Sequence, residues 1–227
     1  MRAVQKQLVF PNGHGGNRKY GWARKQRRMG RRDSPPHRVR RGVHRRFPVH
    51  VTMRLDDCFP NLRRPPEHRV VKTSIWRGNW KEGYRVNHYC IQSNHVHLIV
   101  EADDRVALAR GMQGLATRMA KALNKLWDRS GRVFAQRYHS VVLRTASQVR
   151  NALRYVLNNV LHHGGSLRFG RPDPCSSGEW FDGWRDCRPR SPDDGYCPVI
   201  PARTALQRFV WRRLGLIPLL DPPRGAR

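Results

Sequence analysis

Acidic residues are scarce in this sequence: 16 Asp and Glu stand against 45 Lys and Arg, a formal charge of +29 over 227 residues. A solvated helix face explains a few surplus positive charges but not this surplus, so affinity for polyanions follows from charge alone. Charge does not choose between DNA, RNA and an anionic membrane surface. No run of 18 apolar residues occurs, which excludes a membrane-spanning helix by this criterion. The first residues also lack the apolar stretch of a secretion signal, and a soluble, cytoplasmic protein is expected. Cysteine is sparse: Cys58, Cys90, Cys175, Cys187 and Cys197 are odd in number, widely spaced and form no CxxC pair. That excludes a disulfide framework and argues against structural zinc, leaving reduced, inert thiols as the expectation. A metal shared by the three C-terminal cysteines is the minor alternative. Internal repeats are absent, and a hydrophobic content of 38% is enough for one core with appendages at both ends.

Three regions are expected. Residues 1–46 carry 15 Lys or Arg and a single acid, Asp33, on a Gly/Pro-punctuated segment, and read as a flexible basic arm. Residues 47–165 read as the main folded domain, and residues 166–227 as a basic, Pro- and Trp-containing extension. Within the middle region, residues 48–55 are β-rich, residues 60–66 form a turn-rich break, and residues 67–80 suit a helix. Residues 84–91 and 95–101 read as two strands joined by the tight connection Gln92-Ser93-Asn94, hence a hairpin. A long helix is expected over 105–127, with Leu108, Met112, Leu115, Met119, Leu123 and Leu126 as its core stripe. A strand segment follows over 133–144. Thr145 and Gln148 then have capping-box spacing for a helix running to about His163 and ending at Gly164-Gly165. The order β-α-β-β-α-β plus one helix predicts an α+β, ferredoxin-like sandwich whose open sheet face is crossed by the appended helix. In the extension, Trp180, Phe181 and Trp184 suggest an aromatic patch packed on the main domain, and residues 201–214 a short basic helix.

The chemistry is concentrated in Asn94-His95-Val96-His97-Leu98-Ile99-Val100. A strand alternates faces, so the two imidazoles point one way while Val96, Leu98 and Val100 point the other. Two imidazoles so placed can hold one divalent cation, although half-buried histidines often do no chemistry and two ligands alone make a weak site. About sixty residues later Tyr155 and Asn159 share a helix face at i,i+4, opposite the apolar Val149, Ala152, Leu153, Val156 and Val160. A tyrosine on a helix usually packs in a core. The conjunction of a metal pair, a tyrosine and a further oxygen ligand in a strongly basic chain points instead to metal-assisted tyrosine attack on a nucleic-acid phosphate. Other residues are less specific. Tyr138-His139 invites a nucleophile–base reading, with packing or DNA contact as the stronger alternative. His162-His163 can touch phosphate or simply end the helix, and Gln136 and Arg137 face solvent or nucleic acid.

Three stretches carry a family resemblance: Ser93 to Val100, Arg132-Val133-Phe134-Ala135-Gln136-Arg137-Tyr138-His139, and Tyr155-Val156-Leu157-Asn158-Asn159. Over roughly residues 47 to 163 the chain resembles the REP-associated, IS200-like single-tyrosine HUH transposases. The resemblance implies a ferredoxin-like catalytic domain, His95 and His97 as metal ligands with Asn159 as the third, and Tyr155 as the catalytic nucleophile. It implies Mg2+ or Mn2+, no organic cofactor, and a nucleoid-associated enzyme. The activity it implies is cutting and rejoining of single-stranded DNA near hairpins or palindromes through a 5'-phosphotyrosine. Monomer and dimer both remain open. Val160 stands where the family often has proline after its two asparagines, and the arms are long and basic. Two alternatives compete: a DNA-binding regulator that has lost turnover, and a metal-dependent ribonuclease on the same scaffold.

Overall fold

The computed structural model describes residues 42–79, 81–162, 165–167, 170–191 and 196–221. The basic arm therefore falls outside the described residues, apart from its last five. Four strands form one antiparallel sheet: β1 (Val49–Arg54), β2 (Tyr84–Ile91), β3 (His95–Ala102) and β4 (His139–Val142), in the order β2-β3-β1-β4. The alternation in the sequence divides the sheet into two unlike faces. Val49, Val51 and Met53 of β1 join Val96, Leu98 and Val100 of β3 in a core covered by helices α1 (Pro65–Gly78) and α2 (Arg105–Leu126). Leu108, Met112, Leu115, Met119 and Leu123 of α2 are buried as their spacing predicts, whereas Leu126 at the helix end is exposed. The opposite face carries Cys90 and Ile99, covered by α3 (Ala146–Leu157) through Val149, Ala152, Leu153, Val156 and Leu157. The result is an α+β fold with helices on both sides of an antiparallel sheet.

Local chemistry sets the element ends. α1 begins at Pro65, inside the stretch read as a break, because the first helical turn has no use for the N–H that proline lacks. It ends at Gly78, and Trp80 lies outside the described residues. The β2–β3 hairpin closes with Gln92 N–H donating to His95 O at 2.9 Å. Thr145 caps α3 as its spacing with Gln148 predicts: Gln148 N–H donates to Thr145 Oγ1, and Gln148 Oε1 accepts from Thr145 N–H.

The expected strand over 133–144 is reduced to β4 and one isolated bridge, Leu55 to Phe134. Register explains this. Thr52 pairs with His139 and Leu55 with Phe134, so two residues of β1 face four residues, 135–138, and the excess loops out. The helix expected to run to His163 breaks at Asn158 (φ −103°, ψ 17°) and resumes as α4 (Asn159–His162). The basic helix expected over 201–214 is likewise split, into α5 (Ala205–Arg208) and a 3-10 turn (Val210–Leu214), at Phe209 (φ −145°). Trp211 is fully buried there, while Phe209 and Leu214 are exposed.

The C-terminal extension packs closely. Phe181, Trp184, Trp211, Ile217 and Leu219 complete the cluster under α3. Arg63 grips Asp173 through two parallel bonds of 2.8 and 2.7 Å and also donates to Ile91 O. Such a fork is among the stronger polar contacts a protein makes, and Asp173 holds the Arg63 guanidinium pKa above its ordinary range. Residues 175–177 and 198–200 then line the outer edge of β2, with Ile91 N–H donating to Cys175 O and Ile200 N–H to Val86 O.

Candidate active site

The polar face of β1 and β3 is where the chemistry-bearing residues meet. Thr52 lies directly opposite His97, and Arg54 opposite His95, in the antiparallel register. The His95 and His97 rings sit 4.7 Å apart, edge to face. Tyr155, from α3, brings its ring to 5.1 Å from His97 and 5.8 Å from His50. Three elements thus converge on one patch: the meeting of β3 with α3 follows from the alternation and helix spacing of the sequence, and the contribution of β1 does not. His162, one helix further on, stands 5.9 Å from Tyr155, ring to ring.

Hydrogen bonds orient both strand histidines. Asn94 donates through Nδ2 to Asp57 Oδ1 at 2.7 Å, which turns its carbonyl oxygen toward His95 Nδ1 at 2.9 Å. That oxygen can only accept, so His95 donates to it from Nδ1, and in the neutral ring the lone pair is on Nε2. His97 Nδ1 lies 3.2 Å from His50 Nε2 and 3.1 Å from Thr52 Oγ1. Burial, aided by the nearby His139, lowers the His50 pKa to about 4 and keeps that ring neutral near pH 7. With the His97 proton on Nδ1, His50 and Thr52 both accept, and Nε2 again holds the lone pair. Fixing the tautomer through the remote ring nitrogen is how proteins prepare imidazole ligands for metals.

Asn159 is fully buried, and neither Oδ1 nor Nδ2 has a hydrogen-bond partner among the described residues. A buried amide without partners costs about 1–3 kcal/mol, which leaves Asn159, like the buried Gln207, short of a ligand. Among the described residues no three His, Cys, Asp or Glu side chains group as a metal site. A set of two imidazoles would therefore need an amide or substrate oxygen to complete it, and Asn159 offers a buried amide without partners among the described residues. Asn159 stands beyond the helix break, so its direction depends on how Asn158 is held. Asn158 donates to Pro218 O at 3.2 Å and to Asp221 O at 2.9 Å.

Of the other sequence candidates, Tyr138 separates from this patch, whereas His139 and His162 border it. Tyr138 is packed against the core between the sheet and the two long helices, on the far side from His97. His139 is exposed and opposite Thr52, so the two neighbours point to different faces and form no nucleophile–base pair. No disulfide forms among the described residues; Cys58, Cys90 and Cys175 are buried, and burial raises the pKa of Cys90 and Cys175. His163 lies outside the described residues. Two contributors escaped the sequence reading, His50 and Thr52. The signal was present, since both occupy the polar-face parity of a strand already recognised.

No helix among the described residues is long and apolar enough to cross a membrane. None of the curated proteins matches the chain. A solved structure described as the REP-associated tyrosine transposase bound to a REP hairpin is similar in fold. Its TM-score is 0.52 at 14% identity, and the match covers 63% of this chain and 82% of the other. The family model for the IS200-like transposases matches residues 51–159, a span that runs from β1 through Tyr155 to Asn159. The chain belongs, through these residues, to the IS200-like transposase family.

Proposed function

We propose that this protein is a single-tyrosine transposase of the HUH type, built on a ferredoxin-like scaffold, that nicks and rejoins single-stranded DNA near hairpins. The observation that carries the reading is the meeting of Tyr155 with His97 and His95 on one sheet face, within a chain of charge +29. His95 Nε2, His97 Nε2 and the Asn159 amide would hold a divalent cation, Mg2+ or Mn2+. Such an ion, when bound, neutralises and orients the scissile phosphate. Tyr155 Oη attacks phosphorus, the P–O3' bond breaks, and the tyrosine proton ends on the released 3'-hydroxyl. The energy of the ester is kept as a 5'-phosphotyrosine. Reversal by a 3'-hydroxyl of another strand rejoins the DNA and restores Tyr155. Attack by water would forfeit that linkage, so a transferase gains from tyrosine what a nuclease does not need.

Arginines on the arm and extension supply phosphate contacts, and action at the nucleoid follows from the substrate. Division into a basic arm (1–46), a catalytic domain (47–165) and an extension (166–227) belongs to the same proposal.

The test is denaturing electrophoresis of the protein with labelled single-stranded oligonucleotides from the DNA flanking its gene. A covalent adduct should appear only with a divalent cation and map to the peptide bearing Tyr155. Tyr155→Phe should fold and bind DNA without forming it. Binding without any adduct would favour a regulator, and cleavage of RNA without an adduct a ribonuclease.

A further inference from the structure

We infer that the segment Gly215–Asp221 is a positioning strap for the helix bearing Tyr155; this rests on the reading of Tyr155 as nucleophile. Arg150, Arg154 and Asn158 recur every four residues along one edge of α3, and each is bonded to this segment. Arg150 donates to Gly215 O at 2.9 Å and Leu216 O at 3.2 Å. Arg154 pairs with Asp221 at 3.2 Å, and Asn158 donates to the carbonyls of Pro218 and Asp221. Between these polar rungs Ile217 and Leu219 insert into the apolar cluster that holds Val149, Leu153 and Val156.

The strap is itself anchored on its other side. Ile217 N–H donates to Gly183 O at 3.0 Å, Arg185 N–H donates to Ile217 O at 2.9 Å, and Leu219 N–H donates to Asp186 Oδ2 at 3.3 Å. The helix is thus tied over more than two turns to a fixed body, up to the break that precedes Asn159. The ties flank Tyr155 in sequence: Arg154 precedes it and Asn158 follows it. Attack on phosphorus demands placement to a fraction of an ångström, and the strap adds polar ties at three points along the helix to its packing on the sheet. The strap lies outside residues 51–159, so it is a feature of this chain beyond the span that defines its family.

A charge exchange tests this. The wild type, Arg154→Glu, Asp221→Arg and the double variant are compared, with Arg150→Gln as a gentler second break. Tyr155 is followed by 19F NMR after fluorotyrosine labelling, its resonance assigned with Tyr155→Phe. Rates of adduct formation are measured at saturating oligonucleotide beside oligonucleotide affinity. The strap predicts that Arg154→Glu shifts and broadens the Tyr155 resonance and slows adduct formation at least tenfold, with DNA affinity within about threefold. The double variant should restore both, and Arg150→Gln should move both the same way by less. An unmoved Tyr155 resonance in folded Arg154→Glu and Arg150→Gln proteins would overturn the inference. So would equal loss of DNA affinity and rate. A wild type that forms no adduct, while its Tyr155 resonance still answers to the charge exchange, would sink the transposase reading and leave the strap standing.

Discussion

His97 Nδ1 has two partners, and they are separable by mutation. Thr52→Val keeps the shape and removes one partner, while His50→Ala removes the other together with a ring that packs against Tyr155. Each should weaken Mn2+ binding, and the pair together by about 10–100-fold, the usual effect of losing the groups behind an imidazole ligand. Calorimetric titration with Mn2+ decides it; unchanged affinity in the double variant would mean that His97 needs no support to hold its tautomer. His88, on the same sheet face but further along, makes a prediction about stability. Its Nδ1 meets Ser177, Phe181 stands edge-on at 5.2 Å, and burial lowers its pKa to about 4 against the opposing pull of Asp182, itself paired with Arg212. A histidine with a depressed folded pKa binds fewer protons folded than unfolded, between about 4 and its ordinary value near 6.5. Its contribution is therefore complete above about 6.5 and is lost as pH falls toward 4, at about 1.4 kcal/mol per unit of displacement. Thermal melts at pH 7 and pH 4.5 should show a smaller acid loss for His88→Gln than for the wild type. An equal loss in both would place the acid sensitivity elsewhere.

Among the elements, α2 packs closely on Tyr84 of β2 at Gly111, where an added Cβ would clash with the Tyr84 ring. Tyr84 is fully buried and donates to Met112 Sδ at 3.1 Å, so it has no room to retreat. Gly111→Ala gains about 1 kcal/mol in helix propensity. Overpacking a rigid ring costs up to about 3 kcal/mol. Net destabilisation of about 2 kcal/mol should appear in urea unfolding, and a stabilised variant would mean that α2 slides without cost. Hairpin, long helices and the faces of β3 were legible beforehand, because Val96, Leu98 and Val100 against His95 and His97 form a period-two pattern that only one orientation satisfies. Tyr155 was legible for the same reason, through the 3.6-residue period of Val149, Leu153 and Val156. What failed depends on partners distant in sequence. The looping out of 135–138 follows from the register of β1, and the break at Asn158 coincides with bonds to Pro218 and Asp221, sixty residues away. Propensity cannot see either. The start of α1 was a different failure, since Pro65 and Pro66 were read as breakers where they serve as starters.

For the whole molecule, charge is the first consequence. Removing residues 1–46 should weaken binding to single-stranded DNA most at low salt and flatten the dependence of affinity on salt, because fewer counterions are released. Arginines on a Gly/Pro-rich segment suit phosphate contact rather than base reading, so the cleavage position should not move. An arm-deleted protein with full affinity and slope that cuts elsewhere would make the arm a specificity element. The second consequence concerns β2. Its outer edge, bonded in the finished fold by residues 175–177 and 198–200, belongs to a strand made well before either segment, as the pairings of Ile91 with Cys175 and of Val86 with Ile200 show. During synthesis that row of N–H and C=O groups stays bare until its cover emerges from the ribosome, and bare edges recruit other chains. The same surplus of arginine that draws DNA keeps nascent copies apart by repulsion. Solubility during manufacture and affinity for the substrate are thus two uses of one excess of charge.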